Sequence, residues 1–179
     1  MSDQKYIILD RDGVINVDLF DYVTKPVDFK FEEGSLEALS LLTDNGFKII
    51  VATNQACISL GIAPKDQIDK VNSHMKQKVR DHGSDILHIE DCPHRPEDDC
   101  ECRKPKTGLL LQAEKSLGID LTGSYFVGDK FSDLQCALSH KCKPLLVKTG
   151  YGEITLKNHD TSQAQVFENL LSATKFICQ

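Results

Sequence analysis

The sequence predicts an α/β fold: a single doubly wound, mostly parallel sheet with helices on both faces. Two observations carry that prediction. Short apolar runs recur along the chain, each too short for a helix and most of them ending in a polar or glycine-containing stretch. Between these runs lie segments with helical apolar spacing, and strands that alternate with helices assemble into parallel sheets covered on both faces.

"KYIIL" (5–9) is the first run, ends at Asp10 and reads as a buried strand. Leu36, Leu39 and Leu42 in "SLEALSLLTDNG" follow at helical spacing, with Gly46 placed to close the helix. "KIIVAT" (48–53) is the second strand. "PKDQIDKVNSHMKQKVRDHG" is the next helix, with Pro64 near its first turn and Gly83 as terminator. The strands "DILHI" (85–89), "SYFVGD" (124–129) and "KPLLVKT" (143–149) are interleaved with the helices "GLLLQAEKSLG" and "FSDLQCALSH". The tail, "AQVFENLLSATKFIC", reads as one more short strand and a closing helix. The pattern is Rossmann-like, and in such sheets ligands bind beyond the carboxyl ends of the strands, so the residues just after each strand are the ones to inspect.

At 179 residues the chain reads as one domain, 1–179, large enough to bury a core without disulfides. Apolar residues make up 40% and charged residues 27%, an ordinary balance for a soluble globular protein. "MSDQKYIILD" has no basic leader, and no segment approaches the roughly 18 apolar residues a membrane span needs. The expectation is therefore a cytoplasmic protein with no membrane partner. A net charge of −6 argues against nucleic-acid binding but leaves room for a few cations focused on one phosphate.

"DRDGVIN" follows the first strand. Asp10 and Asp12 are two apart, so an extended chain points both carboxylates to one face and Arg11 to the other. Two close carboxylates repel unless a cation intervenes, which makes the pair a metal site, an acid–base pair, or both. A lone Asp-x-Asp is more often a solvated turn. Its company argues otherwise: Thr53 and Asn54 close the second strand, Lys104 precedes a crossover helix, and "GDKFSD" closes the fourth strand with Asp129 and Asp133.

The loop at about residues 91–106 holds Cys92-x-His94 and Cys100-x-Cys102. Three thiolates and an imidazole form the closed tetrahedral set of a structural zinc site, whereas a catalytic zinc keeps an open position. Pro93 and Pro96 stiffen the loop, and clustered exposed thiols would oxidise without a metal. Cys57, Cys136, Cys142 and Cys178 are scattered and read as incidental thiols.

Asp-x-Asp-Gly, strand-end Thr, Lys, then Gly-Asp-x-x-x-Asp, in this order, resembles the haloacid dehalogenase superfamily of aspartate-nucleophile phosphohydrolases. Within it, "ILDRDGVIN", "TNQ", "CPH", "CECRKPKTG" and "VGDKFSDLQCA" are similar to the small, capless, zinc-containing branch of heptose bisphosphate and histidinol-phosphate phosphatases. The likeness covers roughly residues 6–150. It implies Asp10 as the nucleophile that forms an aspartyl-phosphate, and Asp12 as the acid that protonates the leaving oxygen and then the base for water. It implies Mg²⁺ on Asp10, the Asp12 backbone carbonyl and Asp129, with Thr53 and Lys104 holding phosphoryl oxygens. Asp133 either orients Lys104 or the metal waters, or caps the helix that follows.

The same likeness implies substrate contacts at Arg11, Asp18, Leu19, Phe20, Asp21, Asn54, Gln55, Ala56, Arg103 and Lys130, beside Asp10, Asp12, Thr53 and Lys104. Arg103 could take a second phosphate or a sugar hydroxyl pair bidentately. The segments between Asp10, Thr53 and Lys104 are already filled by predicted helices and the cysteine-rich loop, which leaves no room for a cap domain. Where the family reads T-N-Q-S-G-I-A-R-G, this chain reads "TNQACISLG", with Ala56, Cys57 and Leu60 in place of Ser, Gly and Arg. A hydroxyl, a flexible glycine and a cation are lost from the distal contacts.

The implied reaction is removal of the C7 phosphate of D-glycero-D-manno-heptose 1,7-bisphosphate, on the way to a nucleotide-activated heptose for lipopolysaccharide, by a monomeric enzyme. The runner-up is histidinol-phosphate phosphatase, whose amine substrate would favour acidic loop residues such as Asp18 and Asp21. A non-catalytic phospholigand module is the third reading, and it has no need of a nucleophile and acid pair.

Overall fold

The structure, a computed structural model, describes residues 4–179. Its strands are β1 (Lys5–Leu9), β2 (Phe47–Asn54), β3 (Ile86–Cys92), β4 (Tyr125–Gly128), β5 (Lys143–Val147) and β6 (Gln165–Phe167). They form one sheet in the order β3-β2-β1-β4-β5-β6, and every neighbouring pair is parallel, so the expected mostly parallel sheet is parallel throughout. The helices are α1 (Ser35–Asp44), α2 (Lys65–Asp81), α3 (Gly108–Leu117), α4 (Phe131–Ser139), α5 (Gly152–Asn158) and α6 (Leu170–Ile177).

The apolar runs are continuous because the sheet is buried on both sides. Ile7 and Leu9 of β1 pack with Leu39 and Leu42 of α1, Val71 and Met75 of α2, and Leu170 of α6. Ile8, pointing the other way, packs with Leu109, Leu110 and Ala113 of α3 and Ala137 of α4. Each such fully buried Leu or Ile contributes about 1.5–3 kcal/mol of transfer free energy. On α2, Ile68, Val71, Met75 and Val79 are buried at helical spacing, which docks the whole length of that helix.

The chain winds outward from β1 to β3, then returns to the other side of β1 for β4. β1 and β4 are thus the neighbours at which the winding reverses, and the crevice beyond their carboxyl ends is the natural ligand site. Asp10 follows β1 and Asp129 follows β4, and the Asp10 N–H donates to the Val127 carbonyl at 3.0 Å.

Two elements differ from the sequence expectation. β3 runs past Ile89 to Cys92, because Glu90, Asp91 and Cys92 stay paired with Ala52, Thr53 and Asn54 of β2. Ladder pairing outlasts the apolar run on this edge strand. The predicted strand 143–149 stops at Val147, and the short helix α5 follows. β1 and β2 are separated by a single 3₁₀ turn at Pro26–Asp28 and α1, as expected for a fold without a cap. Among the described residues no helix is long and apolar enough to cross a membrane.

Candidate active site

Lys104 is 3% exposed and lies at the floor of the crevice. Its Nζ donates to Asp10 Oδ1 at 2.9 Å and to the Ala52 carbonyl at 2.7 Å, and pairs with Asp133 Oδ1 at 2.7 Å. Burial alone would lower its pKa, but the charges of Asp10 and Asp133 outweigh that and hold it well above the usual lysine range. The backbone of Lys104 is fixed by Asn54: the Asn54 amide donates to the Lys104 carbonyl, and the Lys104 N–H donates to Asn54 Oδ1, each at 3.1 Å. Asp133, in the first turn of α4, also accepts the Lys130 N–H at 3.0 Å. Both readings of Asp133 hold together: one oxygen caps the helix, the other pairs with Lys104.

Asp129 is fully buried. Its Oδ2 accepts the Tyr151 N–H at 2.7 Å, while its Oδ1 is buried without a hydrogen-bond partner. The fit is tight enough that a Cβ on Gly13 or Gly150, both at positive φ, would lie 2.2 or 2.3 Å from Asp129 Oδ2. Burial pushes the Asp129 carboxyl well up; Lys130 opposes this, and Asp10 and Asp133 add to it. Carboxylate oxygens of Asp10, Asp129 and Asp133 lie within 4.8 Å of one another. A hard oxygen set with one orphaned buried carboxylate oxygen fits a divalent cation. Asp12 does not add its carboxylate to this group, and Asp133, which was not expected among the ligands, does.

The Asp12 carboxylate is instead held by donors. Arg11 Nη2 reaches Oδ2 at 3.0 Å, Asn16 Nδ2 reaches Oδ1 at 2.9 Å, and Gln55 Nε2 reaches Oδ2 at 2.8 Å. Burial raises its pKa, yet the Arg11 charge and these hydrogen bonds carry it below the usual carboxylate value. Arg11 is itself fully buried and, besides Asp12, donates to Asn72 Oδ1 of α2 at 2.9 Å; the chain turns at Arg11, whose carbonyl accepts the N–H groups of Val14, Ile15 and Asn16, so the extended alternation does not hold here.

β3 delivers Cys92 at its end, where the Cys92 carbonyl accepts the Gln55 N–H at 2.7 Å. The Sγ atoms of Cys92, Cys100 and Cys102 lie 3.1–3.6 Å apart, and His94 Nδ1 lies 3.3 Å from Cys102 Sγ and 3.7 Å from Cys92 Sγ. A tetrahedral ion with Zn–S of about 2.3 Å would set sulfurs roughly 3.8 Å apart, so this quartet fits zinc. All seven cysteines are free. Burial opposes ionisation of Cys100, but the Arg103 N–H and its thiol neighbours bring it down to about 7, while burial pushes the Cys92 thiol up. The next residue is locked to the same quartet: Arg103 N–H donates to Cys100 Sγ at 3.3 Å and its Nη1 to the His94 carbonyl at 2.9 Å.

A small recess lined by Asp10, Asp12, Thr53, Lys104 and Asp133 opens into a cleft of about 730 Å³. The D,D-heptose 1,7-bisphosphate phosphatase of B. bronchiseptica, solved with magnesium and phosphate, superposes with a TM-score of 0.92 at 34% identity, covering 97% of each chain. The D-glycero-β-D-manno-heptose-1,7-bisphosphate 7-phosphatase of Pseudomonas aeruginosa is 38% identical over 97% of each chain. The enzyme of the same name from Neisseria meningitidis is 38% identical over 98% of this chain and 95% of its own. The chain belongs to this phosphatase family. A family model described as HAD-hydrolase-like also matches residues 101–173.

For a member of this family the cleft sorts the expected contacts into those that face it and those that stand behind. Asp12, Asp18, Phe20, Asp21, Asn54, Ala56, Arg103, Lys104 and Lys130 line it. Arg11 and Gln55, expected as substrate contacts, are buried and are not among the residues lining the cleft; both donate to Asp12. Leu19 is 43% exposed and is not among the lining residues. Thr53 lies deeper, in the recess, where its hydroxyl accepts from Gln55 Nε2 at 2.9 Å. The sequence reading missed Ser132, Lys106 and Tyr151, which also line the cleft. Tyr151 carried an available signal: it follows the fifth strand at its carboxyl end.

Proposed function

We propose that this chain hydrolyses the C7 phosphate of D-glycero-D-manno-heptose 1,7-bisphosphate, as the names of its relatives state for them, in a single-domain, monomeric, cytoplasmic enzyme that serves nucleotide-activated heptose synthesis. The observation that carries the reading is the buried Asp10–Lys104–Asp133 array beside the orphaned Asp129 oxygen, at the floor of a cleft that Arg103 lines.

A carboxylate oxygen of Asp10 attacks phosphorus in line, forming the aspartyl O–P bond as the P–O bond to C7 breaks. Lys104 and Thr53 hold the equatorial oxygens, and the Lys104 ammonium is already desolvated and aimed. Asp12, held ionised at rest, must first take up a proton as the phosphate monoester binds, and it passes that proton to the leaving sugar oxygen as the P–O bond breaks. It then accepts a proton from the water that cleaves the aspartyl-phosphate. Its arginine and amide donors favour the ionised form, which suits this second half. Asp10, the Asp12 carbonyl and Asp129 would hold Mg²⁺, which when bound would offset the repulsion between carboxylate and phosphate.

The histidinol-phosphate alternative leaned on Asp18 and Asp21. Asp18 is engaged, since its Oδ2 pairs with Lys130 Nζ at 3.0 Å and its Oδ1 accepts the Phe20 N–H at 2.8 Å. An amine would have to displace Lys130. Phosphate release measured side by side from heptose 1,7-bisphosphate, as both anomers, and from histidinol phosphate decides the matter. A strong preference for the heptose is expected, and a preference for histidinol phosphate overturns the reading.

The Cys₃His quartet is a structural zinc site in this reading, a cinch that presents Arg103 and Lys104. Elemental analysis should find stoichiometric zinc. Cys102→Ser should lose it, melt at lower temperature, and raise KM for the bisphosphate as Arg103 loosens. Zinc-free protein with intact stability and activity would remove this assignment.

A further inference from the structure

Tyr151 sits in the loop between β5 and α5, a segment that none of the active-site motifs includes. Its backbone belongs to the catalytic floor, because its N–H holds Asp129 Oδ2 at 2.7 Å. The loop is anchored on either side of it. Thr149 Oγ1 donates to the Gly13 carbonyl at 2.6 Å, and Thr155 Oγ1 donates to the Asp129 carbonyl at 2.8 Å. The backbone that carries Tyr151 is therefore fixed by the same contact that holds Asp129.

The ring makes two contacts of its own. Lys130 Nζ lies over its face, 4.7 Å from the centroid, and the Phe20 ring packs against it at 4.9 Å with an interplanar angle of 59°. Phe20 is 60% exposed, in a cleft-lining position, with φ of +55°. A bulky residue held in the left-handed region is strained, and Asp18 fastens it there by accepting its N–H. Two aromatic rings from loops after different strands thus meet at the cleft, one of them largely bare. The rest of the cleft is rich in charge and suits phosphate, whereas the two rings, tilted against each other with Lys130 over the face of one, add an apolar corner to its wall, of which Phe20 is the exposed part. That corner matches the C–H face of a pyranose ring, with the hydroxyls left to the polar wall.

We propose that Tyr151 is a specificity-determining residue: with Phe20 it forms an aromatic wall that seats the sugar ring of the substrate and does in this capless fold what an inserted domain would otherwise do. The proposal rests on the sugar-bisphosphate reading above and deepens it. Removing the ring should change selectivity by about tenfold, equivalent to about 1.4 kcal/mol.

The test compares kcat/KM for heptose 1,7-bisphosphate with kcat/KM for glycerol 3-phosphate, a phosphomonoester without a ring, in wild type, Tyr151→Phe, Tyr151→Ala and Phe20→Ala. Tyr151→Phe keeps the ring and should hold the wild-type ratio. Tyr151→Ala and Phe20→Ala should each lower the ratio by about tenfold, mainly through KM for the sugar. Phe20→Ala alters a largely exposed side chain, so it carries the test if Tyr151→Ala proves unstable. Equal losses on both substrates, or a ratio unchanged in both alanine variants, overturn the inference while the function above stands. A wild type with no preference for the heptose overturns both.

Discussion

Asp10→Asn is expected to fold as the wild type does and to lose phosphate release almost completely, by about 10⁴-fold or more. The amide oxygen has nearly the shape of the carboxylate but little of its nucleophilicity. Stability should not suffer. Asp10 is one of the carboxylates whose oxygens cluster within 4.8 Å, so its neutralisation relieves repulsion with Asp129 and Asp133. Lys104 loses an ionic partner but keeps Asp133 at 2.7 Å and the Ala52 carbonyl at 2.7 Å. Thermal melts in chelator should therefore show the variant equal to or more stable than wild type. Added Mg²⁺ should raise the wild-type melting temperature more than the variant's, because ligand binding to the folded state stabilises by mass action. Substantial phosphate release by the variant would remove Asp10 as nucleophile.

The strands that could be read directly are those whose surroundings leave no choice. β1 and β2 lie inside the sheet with helices on both faces, so their apolar runs are unbroken. β3 is at an edge and ends in Glu90, Asp91 and Cys92, two of them charged and none typical of a strand run although Cys92 is buried in the core, so composition understates its length. The site was legible for the same reason as the fold: Asp10, Thr53, Asp129 and Lys104 follow strands or precede a helix at one end of the sheet. What a carboxylate's second oxygen does was not legible. Asp133 caps α4 and pairs with Lys104 at once, and only the turn of α4 against β4 makes both possible. Gln55 and Arg11 lie in the right stretches, yet their side chains are buried and spend their donors on Asp12, with Gln55 also reaching Thr53 and Arg11 reaching Asn72, pairings that no sequence spacing announces. The loop holding Tyr151 escaped notice because α5 is seven residues long, too short to show a helical period.

Lys104→Met should be the most destabilising single change at the site, and it should abolish turnover as well. Lys104 is 3% exposed and stands between Asp10 and Asp133. Methionine fills its aliphatic volume but leaves Asp10, Asp129 and Asp133 facing one another with Lys130 as the nearest named cation, 4.0 Å from Asp129. Removing one partner of a buried ion pair costs about 3–5 kcal/mol, since the remaining charges stay desolvated without compensation. The cost should shrink when a charge is removed from the other side. Lys104→Met/Asp133→Asn should recover part of the lost stability, and the double variant should be less sensitive to pH between 4 and 7 than the single one. Neither should regain activity, because the donor to the phosphoryl oxygens is absent, a loss worth about 10²–10³-fold on its own. Denaturant unfolding and phosphate release on the same samples check both halves. If the single variant were as stable as wild type, the buried array would not be the ionic cluster described. If the double variant regained turnover, Lys104 would serve only to neutralise Asp133 and would not hold the phosphate.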